Sequence, residues 1–246
     1  MPITTPVQLP KVAFHAAWAL AGGGEPHPVI GADQHYLADG VRRDLLAETR
    51  DLLRDLGWLR GDRPDARFLD LLTLLTWADR QCYAWTSTVS GGDAAILVAA
   101  LGRDAVRVLV DQQQVLLAPG RTRGLAAQLV EMLPRAAPAR VPVLTPTTAR
   151  PEPDDEDDPL GGVSAPPPDR FQQLASAPRD GVCQLYTAAR ERRGPLVRSG
   201  PHSVIDVTGV GRVLVTAAGG RTTLRSGTDQ AIVELLDGEQ RRVAGR

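Results

Sequence analysis

Cys82-Tyr83-Ala84-Trp85-Thr86 and Cys183-Gln184-Leu185-Tyr186-Thr187 are two editions of one phrase, with cysteine, aromatic residue and threonine at the same spacing. The likeness extends outward on both sides. Upstream, Arg67-Phe68 and Leu71 correspond to Arg170-Phe171 and Leu174; downstream, Val130-Glu131-Met132-Leu133 corresponds to Val233-Glu234-Leu235-Leu236. A repeated helix, strand group and helix implies two pseudo-equivalent halves, and because half a sheet cannot bury its own face the halves must pack as one body. The expected fold is α+β with quasi-twofold symmetry, a central antiparallel β-sheet flanked by helices.

Hydrophobic periodicity fills in the rest. Residues 9–20 are dense in apolar side chains and read as a short buried helix, closed by Gly22-Gly23-Gly24 and followed by a short extended piece at residues 27–30. Residues 37–56 carry the clearest amphipathic stripe, Leu37, Val41, Leu45, Leu52, Leu53 and Leu56, with charged residues between and Gly57 at the end. Asp65 can cap a leucine-rich helix that is apolar on nearly all sides. Four strands follow near 82–89, 94–100, 106–110 and 115–117, joined by turns too short for anything but antiparallel pairing, and a helix spans about 122–133. The second half repeats this with a helix limited by Pro178, strands near 182–189, 203–207, 212–217 and 222–224, and a closing helix at 229–236.

Between the halves, residues 135–167 are rich in proline and carry the acidic run Asp154-Asp155-Glu156-Asp157-Asp158. Such a stretch buries too little apolar surface to offset its ordering entropy and reads as a disordered linker between an N-terminal half (1–134) and a C-terminal half (168–246). No EF-hand spacing frames the acidic run.

Of the 246 residues 43% are hydrophobic, enough for a sizeable core, and the net charge of -1 removes the main reason to propose a nucleic-acid binder. Lys11 is the single lysine, so nearly all positive charge is arginine. Cys82 and Cys183 read as inward-facing small residues and free thiols, which suits a reducing cytosol. With no signal-peptide pattern and no apolar run of membrane-spanning length, a soluble cytoplasmic protein without membrane insertion is expected.

A search for chemistry returns little. P-loop, dinucleotide-binding, nucleophile-elbow, HExxH and paired CxxC motifs are missing. His27 and His35 could approach each other but lack carboxylate or thiolate company, so neither a metal nor another cofactor is expected. His202 with Asp206 is the one pair that a small hydrolase could use as base and orienter.

The ordered set of motifs resembles the EspG family, associated with the ESX branch of type VII secretion in actinobacteria. It comprises Ala13-Phe14-His15-Ala16-Ala17-Trp18, Leu56-Gly57-Trp58-Leu59, the leucine-rich helix, Ala105-Val106-Arg107-Val108-Leu109-Val110, Val115-Leu116-Leu117-Ala118-Pro119-Gly120 and Leu129-Val130-Glu131-Met132-Leu133-Pro134. The second half adds Gly181-Val182-Cys183-Gln184-Leu185-Tyr186, an arginine-rich hairpin and Val204-Ile205-Asp206-Val207-Thr208. The resemblance implies a cytosolic, non-enzymatic chaperone that binds a helical substrate of PE/PPE type and keeps it soluble for export. Two departures stand out: the helical region opening the second half is barely two turns, and the loop after the first strand is short. Ser90, Gly91, Gly92 and Asp93 at one hairpin tip, and Arg190, Arg192, Arg193 and Arg198 at the other, are the candidate partner contacts. A homo-oligomerising module is the competing expectation from a different class.

Overall fold

The computed structural model describes residues 2–31, 38–146, 169–191 and 194–245. The chain runs β1 (Val7–Pro10), α1 (Lys11–Leu20), α2 (Asp39–Asp55), the ribbon β2 (Leu59–Arg60) and β3 (Arg63–Pro64), then α3 (Ala66–Trp77). The first meander is β4 (Arg80–Thr88), β5 (Gly92–Leu101), β6 (Asp104–Val110) and β7 (Gln114–Pro119), closed by α4 (Leu125–Met132). The second half contains α5 (Arg170–Ser176), β8 (Arg179–Arg190), β9 (Leu196–Arg198), β10 (His202–Val207), β11 (Gly211–Ala218), β12 (Arg221–Ser226) and α6 (Asp229–Ala244).

All strands except the ribbon join one antiparallel sheet in the order β1-β7-β6-β5-β4-β8-β10-β11-β12, with β9 beside β8. Each half is a meander because its turns are short, and the two meanders meet through their first strands. In that β4–β8 seam Ala84 faces Leu185, Cys82 faces Thr187 and Thr86 faces Cys183. This crossed register is what a local twofold requires, since repeat mates then stand equally far from the Ala84–Leu185 pair. The symmetry persists outward. Val98 lies opposite Cys82 and Val204 opposite Cys183. At the far end of each meander a glycine N–H reaches a strand carbonyl, Gly120 to Ala105 at 3.0 Å and Gly227 to Arg212 at 2.9 Å. A Cβ at either glycine would stand 3.0 Å from a backbone carbon, of Ala105 or Val213 respectively.

Side chains alternate across the sheet and divide the core in two. On one face α4 and α6 cover Cys82, Ala84, Val98, Cys183, Leu185 and Val204, all essentially buried, with Leu129, Ile232 and Leu236. Each fully buried leucine contributes about 1.5–3 kcal/mol through removal from water. On the other face α1, α2 and α3 cover the first meander, where Trp58 stacks on Phe68 at 5.0 Å. The second meander has less cover there: Leu174 of α5 packs with Ala139, Val207, Val213 and Leu224 toward the far edge. Over the middle of this face Trp85 and Tyr186 stay half-buried and Gln184 is exposed.

The fold class expected from the repeat holds, while several local expectations are corrected. The linker reading fails for its first residues: Leu144 exchanges both backbone hydrogen bonds with Leu224 (2.8 and 2.9 Å), and Ala139 donates to Arg212 at 2.8 Å. Leu144 thereby pairs the outer edge of β12 at Leu224, while β1 covers the outer edge of β7 along four residues. The acidic run lies outside the described residues. Residues 27–30 form a turn, with Ile30 N–H donating to His27 O at 2.8 Å, rather than an extended piece. The closing helix runs on through Gly238 to Ala244, held by Gln240 donating to Ala188 O at 2.9 Å and by buried Val243, so packing overrides a weak helix former. The Asp65 cap is present, accepting from Arg67 N–H at 2.9 Å, but α3 leaves Leu69 and Trp77 exposed.

Candidate partner-binding surface

The seam that makes the halves equivalent also separates the two nominated hairpin tips. Thr88, at the end of β4, pairs with Gly181 near the start of β8, and Arg80, at the start of β4, pairs with Ala189 near the end of β8. Val89 therefore leaves one end of the sheet and Glu191 the other, with roughly 27 Å of strand between them at the usual rise. Equivalent positions in sequence become opposite positions in space because the twofold runs through an antiparallel pair. The tips do not converge on one site.

Each tip nevertheless places residues differently. Ser90 and Gly91 lie in an exposed turn in which Gly91 N–H donates to Thr88 Oγ1 at 2.9 Å, and Gly92 opens β5. Asp93, the first residue after that turn on the sheet face, stands opposite Ser87. At the other tip the Arg190 guanidinium lies 4.8 Å from the centre of the Trp77 ring, and its Nη1 donates to Gly194 O at 3.2 Å. Arg192 and Arg193 lie outside the described residues. Arg198 belongs to β9, a strand within what reads in sequence as a loop, and its guanidinium lies 5.8 Å from the Tyr186 ring centre.

Between Asp93 and Arg198 the sheet presents an aromatic floor. Tyr83 and Tyr186 stack across the seam at 5.2 Å, and Trp85 meets both edge-on at 5.4 and 5.3 Å. Burial raises the Tyr83 phenol above its ordinary value, and a hydrogen bond with Arg198 opposes that shift. Beside Trp85 a cavity of about 530 Å³ opens, floored by Trp85, Ser87, Val182 and Gln184 and walled by Lys11 and the 28–31 turn. Its wall is anchored by His27, whose Nδ1 accepts from Val29 N–H at 3.1 Å and whose ring packs edge-on against Tyr83. Desolvation lowers the His27 pKa to about 4, with a hydrogen bond to Gln81 opposing, so the ring is neutral and keeps its acceptor nitrogen.

Trp85, Tyr186, Val182 and Gln184 were not nominated from sequence. The signal was in the sequence: the helical region that opens the second half is only two turns long, too short to cover the middle of its side of the sheet.

The hydrolase pair does not assemble. His202 and Asp206 share one strand and one face but lie four residues apart, about 13 Å at the usual strand rise. Asp206 is held by Arg212, whose Nε and Nη2 donate to its two oxygens at 2.7 and 2.9 Å. Arg212 also donates to Pro134 O at 2.6 Å, tying the end of the first half to the second. Burial lowers the His202 pKa, with the Glu239 carboxylate 3.9 Å away opposing. Both cysteines are free and buried; burial raises both thiols, Cys183 to about 11, which leaves them unreactive at neutral pH. Among the described residues no group of three or more His, Cys, Asp or Glu could hold a metal, and no helix is long and apolar enough to cross a membrane. His35 lies outside the described residues.

This arrangement has known counterparts. The structure is similar to that of the Mycobacterium tuberculosis type VII secretion system chaperone EspG5, solved in complex with a PE25-PPE41 dimer, with a TM-score of 0.65 over 95% of each chain at 12% sequence identity. No curated protein matches the chain by sequence. The EspG family model matches residues 10–238, nearly the whole of the repeat and its N-terminal helices, and the chain belongs to the EspG family.

Proposed function

We propose that this protein is a cytosolic, non-enzymatic chaperone of type VII (ESX) secretion that holds a helical PE/PPE-type substrate on the open face of its central sheet. Family membership supports the role, and so does a fold shared with a chaperone solved with a PE–PPE dimer. The observation that carries the site is the half-buried aromatic floor of Trp85 and Tyr186 beside a 530 Å³ cavity. A helical tip laid there inserts an apolar side chain beside Trp85 and buries about 800 Å² per partner, ordinary for a specific complex. Among the described residues the second half sets only the short α5 and the segment around Ala139 and Leu144 against this side of the sheet. Of the residues nominated at the two tips, Asp93 and Arg198 are the ones at its rim.

The test is co-purification of the tagged full-length chain from its host, with identification of the helical proteins that accompany it. A PE/PPE-type pair that is retained by the native chain and lost with Trp85→Arg, at an unchanged thermal midpoint, supports the site. Recovery of no such pair, or capture indifferent to Trp85→Arg, overturns it. Light scattering across concentrations separates a monomer awaiting a substrate from a self-associating module.

A further inference from the structure

Asp93 and Arg198 occupy equivalent places in the two halves and carry opposite charges. Asp93 stands opposite Ser87 of β4, and Arg198 stands opposite Ala188 of β8. Ser87 and Ala188 each lie three residues beyond the Ala84–Leu185 pair, in opposite directions along the seam. The local twofold that relates Trp85 to Tyr186 therefore relates an aspartate at one end of the open face to an arginine at the other.

We infer that this charge pair fixes the orientation in which a two-helix tip sits on the face. The inference rests on the docking reading above and adds to it. Counting strand rise and strand spacing, Asp93 and Arg198 are roughly 25 Å apart on the diagonal. A pair of side-by-side helices is about 20 Å across, so long charged side chains at its two flanks come within reach of both ends. The strands of the floor are twofold-related, so such a tip has two placements related by the twofold; the cavity beside Trp85 and the helices over the first meander already make them unequal in apolar burial. The charged ends add a second distinction. Arg198, exposed and resting on Tyr186, offers a planar fork to a carboxylate. Asp93, with Asp111 beside it on the cavity rim, outweighs Lys11, the one cation there among the described residues, and favours a basic helix. The placement that sets an acidic helix over Arg198 and a basic helix over Asp93 is stabilised, and the reverse brings like charges together. The substrate class is thereby narrowed to tips whose two helices differ in charge sign.

The experiment uses the full-length chain and the PE/PPE-type pair that co-purifies with it. A photoreactive benzoylphenylalanine replaces Ser90 or, separately, Leu196, one at each end of the face, and mass spectrometry reads which substrate helix each probe labels. In the native chain each probe labels one helix. In the double reversal Asp93→Arg with Arg198→Asp the labels exchange, and each single reversal weakens capture about three- to ten-fold, more at low salt than at high. Labels that stay in place in the double reversal, or single reversals that bind as the native chain does, overturn the inference. Arg198→Lys, which keeps the charge but not the planar contact with Tyr186, checks that capture follows charge rather than packing on Tyr186. Trp85→Arg separates the two readings: if it abolishes capture while the labels never exchange, the orientation inference alone falls. If it leaves capture intact, or if no pair co-purifies, the docking reading falls and takes the inference with it.

Discussion

Ala84 stands directly opposite Leu185 at the midpoint of the β4–β8 seam, and both point into the layer covered by α4 and α6. The twofold passes between a small residue and a large one, so the volume at the centre of the molecule is shared unequally. Leu185→Ala should cost about 2–5 kcal/mol by opening a cavity, and Ala84→Leu about 1–3 kcal/mol by overpacking. Because the two side chains face one another, the exchange Ala84→Leu with Leu185→Ala should recover part of the loss. Urea unfolding of the two single variants and the exchange measures this; strict additivity would show that the two sites do not share space.

The paired glycines at the ends of the meanders give a second prediction. Gly120→Ala and Gly227→Ala should each destabilise by about 1–3 kcal/mol, since the added Cβ meets backbone 3.0 Å away in both. Gly40→Ala, in α2 with nothing within 4 Å of the new carbon, should instead stabilise by about 0.5 kcal/mol. Thermal midpoints of the three variants under one buffer decide the order.

His27 makes stability depend on pH. Its folded-state pKa of about 4 lies below the ordinary 6.5, so as pH falls the unfolded chain takes up the proton first. The contribution is fully present above pH 6.5, declines between 6.5 and 4, and is lost below that. Between pH 7 and pH 5 it amounts to about 2 kcal/mol. His27→Asn, which offers Val29 N–H an uncharged acceptor, should show a smaller fall over the same interval. Denaturant titrations of both proteins at the two pH values isolate the difference from the carboxylates that titrate nearby.

Asp206 and Arg212 form a buried bidentate pair, so removing one partner strands the other. Asp206→Asn should cost about 3–5 kcal/mol, while Asp206→Leu combined with Arg212→Met should cost less than the single change. A double-mutant cycle by chemical denaturation measures the coupling, and a single substitution that is nearly neutral would contradict the pairing.

Much of the molecule was readable in advance from its repeated phrase. Cys82 and Cys183, Phe68 and Phe171, and Leu71 and Leu174 declared two like halves, and turns such as Gly102-Arg103 declared antiparallel neighbours, because both kinds of information are local. The reading went wrong where a segment's state depends on a distant surface. Leu144 looks like linker until the bare edge of β12 is beside it, Leu196 to Arg198 look like hairpin loop until β8 pairs with them, and Gly238 looks like a helix end until α6 has a sheet to lie on.

The aromatic face of the sheet follows the same division. Sequence alone settled that there are two equivalent halves and which residues alternate along each strand. It could not settle how the halves meet, and that junction decided everything about the surface. An antiparallel seam through Ala84 and Leu185 sends equivalent loops to opposite ends, gathers Tyr83, Trp85 and Tyr186 from both halves into one floor, and sets Asp93 and Arg198 at its two limits. Hydrogen bonding between strands a hundred residues apart is a property of the packed chain, and no local pattern encodes its register.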